Sequence, residues 1–369
     1  MSDFGKPEFL NRLLTAMVME KASDLYLKAY ASPTLRIEGG LSAIETPPLC
    51  PEDLRSLALA IMPEEEKKTF PQLPEANFVY ALDKLGRFRV NTYIQRGTVA
   101  MVFRKVRDDV LDFEELGLPP VLKELAMCKR GLVLITGPTG SGKSTTLATM
   151  VRYHNMNATG HILTIEDPIE FVHEDINCLV SQREVGTDTR SFREALENSV
   201  RQAPDVLLVG EMRDMESVKT GVYFAETGHL VLSTLHSINA PQTVERLLQF
   251  FPSSEHEQVL QQLAFNLRAV VCQRLLQKKD EVGRVAALEI MVVNARMRDL
   301  IAKGNLSQIK REMDAFLPDG MRSFDFSYIE LYQAGKITLE ECIKNADNPR
   351  DMKLKLKKMG AMGAGVFDE

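Results

Sequence analysis

The chain contains no tryptophan and only five cysteines among its 369 residues. The cysteines are scattered and form no C-x-x-C pair, so the sequence supports neither a disulfide framework nor a four-cysteine zinc site. No run approaches the roughly 18 apolar residues that a membrane-spanning helix needs, and no apolar segment follows Met1. We therefore expect a cytoplasmic protein that carries no zinc.

Positive charge is also in short supply. Lysine and arginine total 45 against 51 acidic residues, which gives a net charge of −6 and a pI near 5.7. A dedicated nucleic-acid binder would need a basic surface and stacking aromatics, so this balance argues against one. The hydrophobic share of 44% and the charged share of 26% are ordinary for a globular protein, and the length suggests two domains.

The most specific motif is a phosphate-binding loop within GLVLITGPTGSGKSTT, residues 131–146. We predict a buried strand over Leu132–Thr136 and a helix over Ser144–Tyr153, with the spacing G-x-x-x-x-G-K-S between them. In such a loop the backbone N–H groups hold a polyphosphate, Lys143 reaches its β- and γ-phosphates and the Ser144 hydroxyl ligates Mg²⁺. A glycine-rich turn without a ligand is the alternative, but it does not account for the flanking strand and helix. The predicted nucleotide-binding residues are Gly137, Pro138, Thr139, Gly140, Ser141, Gly142, Lys143, Ser144 and Thr145.

Acidic residues follow two further predicted strands. Glu166 comes after the strand at 162–165, and Glu211 comes after the strand at 205–209. Parallel sheets bind ligands at the carboxyl ends of their strands, and phosphoryl transfer to water needs a carboxylate to orient the nucleophile. We therefore assign catalytic roles to Glu166 and Glu211, with Glu211 also a Mg²⁺ ligand. Asp167 and Asp214 could instead cap the helices that follow.

Two histidines bracket the next strand, Leu230–Leu235. We place His229 at its entrance and His236 at the nucleotide edge, where either could sense a γ-phosphate or pass its presence to a subunit interface; both could equally be structural. Arg193 and Arg201 precede the Glu211 strand, and each is either an interface cation or an ordinary surface charge.

The first hundred residues predict an α+β unit with mostly antiparallel strands. The pattern indicates a helix at Pro7–Lys21, a helix between Pro51 and Phe70, and strands at Ser23–Leu27, Thr34–Ile37, Phe78–Asp83, Arg87–Ile94 and Val99–Val106. Arg89 and Arg104 fall on the polar faces of the last two strands. We set the domain boundaries at 1–110, a Gly/Pro-containing linker at 111–125, a nucleotide-binding domain at 126–350, and a partly disordered tail at 351–369.

Four segments together resemble the boxes of secretion-type ATPases. They are GPTGSGKST at 137–145, TIEDPIEF at 164–171, PDVLLVGEMRD at 204–214 and ETGHLVLSTLHS at 226–237. With RFRVN at 87–91 and VFRKV at 102–106, the set is most similar to the type IV pilus retraction ATPases of the PilT/PilU family. The resemblance implies a PAS-like α+β domain followed by an α/β RecA-like ATPase domain, assembled as a homo-hexamer that uses ATP and Mg²⁺. It also implies that Arg89 and Arg104 are presented to nucleotide, and that an inner-membrane platform protein is contacted from the cytoplasmic side.

Departures from the family pattern narrow this resemblance. The longer N-terminal region and four-cysteine element of pilus or type II secretion assembly ATPases are absent, which favours retraction. The family motif AIRNLIRE survives only as RMRDLIAK at 296–303, with Ala302 for an arginine and Lys303 for a glutamate. We expect the motif's ion pairs to be lost or made repulsive, as in an accessory, PilU-type member that depends on a PilT-type paralogue. A RecA-like nucleic-acid motor and a ring subunit without turnover are the rival interpretations, and the presence of Glu166 and Glu211 argues against the latter.

Overall fold

A computed structural model describes residues 3–280, 283–315 and 320–358. The chain divides between Asp108 and Asp109 into two compact units. No helix among the described residues is long and apolar enough to cross a membrane.

The first unit is a six-stranded antiparallel sheet with helices. Its strands lie in the order β3-β2-β1-β6-β5-β4. The helices are α1 (Pro7–Met19), α2 (Pro51–Ile61) and α3 (Glu64–Thr69), and the strands are β1 (Asp24–Lys28), β2 (Thr34–Ile37), β3 (Gly40–Ala43), β4 (Glu75–Leu82), β5 (Gly86–Gln95) and β6 (Thr98–Lys105).

The local sequence explains most of these boundaries. The apolar residues of α1 recur with helical spacing and are buried in the core of this unit, together with Phe88, Val90 and Phe103 of the sheet. The single helix predicted between Pro51 and Phe70 is wrong: two helices form, because Pro63 forces the preceding residue, Met62, into an extended conformation. Strand β3 was missed because its four residues are all exposed and give no apolar alternation.

The second unit combines a seven-stranded sheet with eleven helices among its described residues. The strands are β7 (Gly131–Thr136), β8 (Gly160–Glu166), β9 (Cys178–Glu184), β10 (Val206–Val209), β11 (Leu230–Leu235), β12 (Leu267–Gln277) and β13 (Arg284–Val292). The helices are α4 (Val121–Ala126), α5 (Lys143–Asn157), α6 (Phe192–Ser199), α7 (Met215–Glu226), α8 (Ala240–Gln249), α9 (His256–Asn266), α10 (Ala295–Ala302), α11 (Ser307–Ala315), α12 (Phe324–Gln333), α13 (Leu339–Asn345) and α14 (Pro349–Lys358).

The sheet order is β13-β12-β7-β11-β10-β8-β9, and every neighbouring pair is parallel except the edge pair β12 and β13. The mainly parallel sheet predicted for this domain is therefore present. Strands β7 and β11 pair in register from Gly131 with Leu230 to Thr136 with Leu235. Because parallel strands end at the same edge, the residues that follow β7, β8, β10 and β11 are brought together.

The segment we assigned to a linker, 111–125, contributes to the core of the second unit. Phe113, Leu118 and Leu122 are buried against residues of the parallel sheet. Its glycine and prolines mark a turn and the start of α4, and they do not make the segment a spacer. The predicted tail also begins too early, because Met352 and Leu356 on α14 are buried. The remainder of that tail, 359–369, lies outside the described residues, and the PAS-like assignment of the first unit stays a prediction.

Candidate active site

The phosphate-binding loop joins β7 to α5 and leaves the start of that helix open to an anion. Gly142 occupies the N-cap position with φ 87°, and within the described chain no side chain caps α5 and no acidic residue lies in its first turn. By contrast, Asp214, Asn239 and Ser323 cap α7, α8 and α12. The uncapped N–H groups and the positive end of the helix dipole favour a phosphate at this position.

A glutamine from β12 holds the loop in place. The Gln273 amide nitrogen donates to the Ser141 carbonyl at 2.8 Å, and its oxygen accepts from the Thr146 hydroxyl at 2.7 Å. A methyl group on Gly137, whose φ is 146°, would lie 2.4 Å from the Gln273 carbonyl oxygen. Glycine is required here because the loop passes directly against the neighbouring strand.

Lys143 is folded over its own loop. Its ammonium donates to the carbonyls of Gly137 at 2.8 Å and Pro138 at 3.1 Å. Burial lowers the Lys143 pKa, while the nearby Glu211 and Glu170 carboxylates act in the opposite direction. The side chain is thus a cation already placed beside the loop's N–H groups.

Glu166 ends β8 and is held by two hydrogen bonds. Its Oε1 accepts from the Thr164 hydroxyl at 2.7 Å and from the Gln182 amide at 3.3 Å. Burial raises the pKa of Glu166, and the two hydrogen bonds partly offset that rise because they stabilise the charged form. A raised pKa suits a carboxylate that must exchange a proton with water near neutral pH.

Glu211 stands at the centre of a charged group. Its Oε2 accepts from Arg213 Nε at 2.8 Å, and its Oε1 lies 3.2 Å from His236 Nε2. Arg213 also contacts Asp167 at 3.2 Å, so it joins the acidic residues that follow β8 and β10. The helix-cap alternative considered for Asp214 is correct, since this residue forms a capping box with Ser217 at the start of α7.

These side chains line one cleft of about 490 Å³. Residues 139–145 of the loop form one wall, and the groups after β8, β10 and β11 form the other. The second wall includes Glu166, Asp167, Glu170, Glu211, Arg213, Thr234 and His236. Cations and N–H groups therefore face carboxylates across a space of the size that ligand clefts usually have.

The donors present fit a magnesium ion that is shared with phosphates. The Ser144 hydroxyl and the Glu211 carboxylate line the same cleft, and both are oxygen ligands of the kind Mg²⁺ prefers. No group of three or more histidine, cysteine or acidic side chains among the described residues could hold a metal alone. This matches the usual mode for Mg²⁺, in which one or two protein ligands are completed by phosphate and water.

Comparisons with known proteins agree with this geometry. Residues 3–343 match the family described as type II/IV secretion system protein. The type IV pilus ATPase PilU of Pseudomonas aeruginosa is 44% identical over 94% of this chain and 91% of its own length, and the retraction ATPase PilT of the same organism is 42% identical over 93% and 99%. A crystal structure of the pilus retraction motor PilT with bound ADP superposes with a TM-score of 0.86, at 40% identity over 93% of this chain and 98% of PilT.

The chain belongs to the PilT/PilU family of type IV pilus ATPases. This confirms the resemblance drawn from the four sequence boxes and the α/β fold class.

Not every residue predicted for the site reaches this cleft. His229 precedes β11 and pairs through its carbonyl with the Gly131 amide, at the start of β7. It therefore lies at the amino end of β11, whereas His236 follows the carboxyl end of the same strand, about 20 Å away across its six residues. Its Nδ1 contacts the Phe224 carbonyl and the Thr227 hydroxyl, each at 3.1 Å. Arg193 pairs with Glu197 on the exposed face of α6, and Arg201 follows that helix.

Arg89 and Arg104 belong to the first unit, whereas the cleft is built entirely from residues of the second. They face each other across β5 and β6, as the alternation predicted. The Arg104 Nε donates at 2.8 Å to the buried carboxylate of Asp24, which raises the Arg104 pKa and leaves most of the guanidinium exposed. An oriented, exposed guanidinium is suited to binding a phosphate.

The altered family motif on α10 does not produce the repulsion we expected. Lys303 lies 2.8 Å from Asp299 one turn earlier, and Arg296 lies 2.8 Å from Glu312 on α11. The repulsion was expected because Lys303 was considered without the carboxylate four residues before it, the spacing at which charges meet on a helix. The loss of the ion pairs that the unaltered motif makes stays a prediction.

Sequence reasoning missed Gln273, Gln182 and Arg213. The two glutamines lie on β12 and β9, strands that we did not predict, and a single glutamine carries no motif. Arg213 was visible within GEMRD, but its link to Asp167 depends on strands 40 residues apart in sequence being adjacent in the sheet.

The hydrogen bond from Thr164 predicts a change in pH dependence. Thr164→Val removes the donor that stabilises ionised Glu166, so the pKa of Glu166 rises further. On the hypothesis that Glu166 is the general base, turnover requires its ionised form. ATPase activity then falls as pH drops through that pKa, and the acid limb of the pH profile moves to higher pH in the variant. Steady-state hydrolysis across pH measures this, and Thr164→Ser, which keeps the hydroxyl, is the matched control. An unchanged acid limb in Thr164→Val would exclude Glu166 as the group that titrates.

Proposed function

We propose that this chain is an ATPase that assists type IV pilus retraction as a hexameric ring at the cytoplasmic face of the inner membrane, together with a PilT-type paralogue. One observation carries the proposal: a phosphate-binding loop, two carboxylates and a histidine converge in one cleft of a chain that is 44% identical to PilU. The proposed partners are the paralogue and an inner-membrane platform protein.

The chemistry is the transfer of the γ-phosphoryl group of ATP to water. The N–H groups at the start of α5 and the Lys143 ammonium stabilise negative charge on the phosphates, and Mg²⁺ held by Ser144 and Glu211 would supply further neutralisation. Glu166 orients the attacking water and accepts its proton. His236, in contact with Glu211, links this event to the segment that follows β11.

The first unit completes the site in the proposed ring. Arg89 and Arg104 reach the nucleotide held by another domain or subunit, where their charge stabilises the transferring group. The support is their shared face and the fixed orientation of Arg104 by Asp24. His229, at the opposite sheet edge, is proposed to act at a subunit interface and not on the phosphate of its own cleft.

Two substitutions test the chemistry. Lys143→Ala removes a cation beside the phosphates, and Glu211→Ala removes the carboxylate that positions Mg²⁺ and water, so each lowers ATP turnover by at least about 100-fold. Phosphate release measures turnover, and circular dichroism verifies that both variants remain folded. Turnover near the parent rate in a folded variant would contradict the role given to that residue.

Two further substitutions test the first unit. Arg89→Ala or Arg104→Ala slows hydrolysis by the assembled protein because a charge that faces the nucleotide is lost. The free energy of unfolding changes by no more than about 0.5 kcal/mol in Arg89→Ala. In Arg104→Ala it falls by about 1–3 kcal/mol, because the buried Asp24 carboxylate loses a hydrogen-bond donor. Turnover and thermal unfolding are compared with those of Arg55→Ala, which removes another arginine of the same unit. A large loss of stability without a specific loss of turnover would return both arginines to a structural role.

The accessory role is tested in cells. Where the PilT-type paralogue is deleted and this chain is kept, we expect pilus retraction to be lost even though the purified chain still hydrolyses ATP. Retraction is followed by imaging labelled pili, with reintroduction of the paralogue as the control. Vigorous retraction in the deleted strain would show that this chain is a principal motor.

A further inference from the structure

Glu289 is a buried carboxylate that the proposed chemistry does not use. It lies on β13 directly opposite Cys272 of β12, and only 2% of its surface is exposed. Its Oε1 accepts a hydrogen bond of 2.8 Å from the backbone N–H of Ala240, the first residue of α8. The carboxylate therefore satisfies one of the N–H groups that a helix leaves unpaired at its start, where the helix dipole also favours negative charge.

The start of α8 is tied to the catalytic edge. Only three residues separate Ala240 from His236, whose ring contacts Glu211. Within this short segment the Ser237 hydroxyl bonds that of Thr243 at 2.7 Å, and Thr243 also donates to the Asn239 carbonyl. Because this connection is short and internally hydrogen-bonded, we expect a shift of the first turn of α8 to move His236 as well.

On its other side Glu289 faces charges that come from the C-terminal helices. The charged and titratable groups around it are Cys272 and Arg274 on β12, Lys310 on α11, and Asp347 after α13. Arg274 donates to the Tyr328 hydroxyl of α12 at 2.8 Å and lies over the Phe324 ring at 4.0 Å. Lys310 pairs with Asp347, and both are partly exposed. The buried carboxylate is consequently placed between the C-terminal helices and the catalytic edge.

We propose that Glu289 is a positioning residue for ATP hydrolysis, which transmits the arrangement of the C-terminal helices to His236 and Glu211 through the first turn of α8. This inference rests on the proposed function, because it takes Glu211 and His236 to act on ATP. The ionised carboxylate holds the helix more firmly than the neutral acid, since a charged acceptor makes the stronger hydrogen bond.

The ionisation of Glu289 provides a readout that a purely structural residue would not have. Burial raises the pKa of Glu289 to about 7, while the Ala240 N–H, Lys310 and Arg274 oppose that rise and Asp347 adds to it. The native state therefore binds a proton that the unfolded chain has already released, and the active, ionised form becomes populated as pH rises through about 7. The kcat of the parent should rise across this range.

The first test compares Glu289→Gln with the parent. Glutamine keeps an oxygen for the Ala240 N–H but carries no charge, so kcat at about pH 8 falls roughly fivefold, the inflection near neutrality disappears, and the KM for ATP changes by less than about twofold. Glu330→Gln, which removes an exposed carboxylate paired with Arg322 in the same C-terminal part, should keep the parent profile. A parent-like pH profile in Glu289→Gln would overturn the proposal, as would a change confined to KM.

The second test leaves Glu289 intact, so it does not depend on the folding of a core variant. Lys310→Met removes a charge that lowers the pKa of Glu289, and Asp347→Asn removes one that raises it. The kcat inflection should move to higher pH in the first variant and to lower pH in the second. Shifts in the same direction, or no shift, would overturn the proposal. Glu211→Ala in the same buffers distinguishes a failure of the proposed function from a failure of this inference. Retained turnover in Glu211→Ala contradicts the role of Glu211, whereas unshifted inflections in the Lys310 and Asp347 variants contradict only the role of Glu289.

Discussion

The uncapped start of α5 is the constraint on which the site depends. A helix terminus with free N–H groups is stable near the sheet only if an anion or water satisfies those groups. The loop before it must therefore bend sharply and pass close to β12, which only glycine at 137 permits. Gln273 then fixes the loop from the neighbouring strand, so that the arrangement for phosphate is formed by the protein itself. This is electrostatic preorganisation in its simplest form.

Lys143 and the two glutamates of the cleft are not paired with one another, because they follow different strands of the sheet. Lys143 begins α5 after β7, Glu166 ends β8 and Glu211 follows β10, and no salt bridge among the described residues joins the lysine to either glutamate. Arg213 instead neutralises Glu211 and Asp167 from the side. The two glutamates differ in environment, since Glu166 is desolvated and held by neutral donors whereas Glu211 is paired with the Arg213 guanidinium and contacts His236. Such a difference separates a proton-accepting carboxylate from one suited to a metal or a hydrogen-bonded network.

The antiparallel edge of the sheet connects this chemistry to the rest of the second unit. On β12, Gln273 bonds the phosphate-binding loop and Arg274 bonds Tyr328 of α12. On β13, Glu289 bonds the first residue of α8. A motor must couple closure of its nucleotide site to movement elsewhere, and buried polar contacts are effective couplers because breaking them is costly. Helix α10 carries the altered family motif, and its Arg296 pairs with Glu312 of α11. The same helix α11 bears Lys310, which pairs with Asp347.

The sequence alone determined the parts of the protein whose signal is local. Three features are properties of short segments, because backbone geometry dictates them residue by residue. They are the glycine and lysine spacing at 137–144, the acids at the ends of β8 and β10, and the alternation that sets Arg89 and Arg104 on one face. Tertiary structure decided what depends on distant contacts. Strand β12 and its Gln273 became part of the site only through pairing with β7, more than 130 residues earlier. His229 and His236 lie seven positions apart, yet the length of one strand puts them at opposite sheet edges. Glu289 has no motif, and its environment is created by elements that meet only after folding, since burial and charge are properties of the packed core.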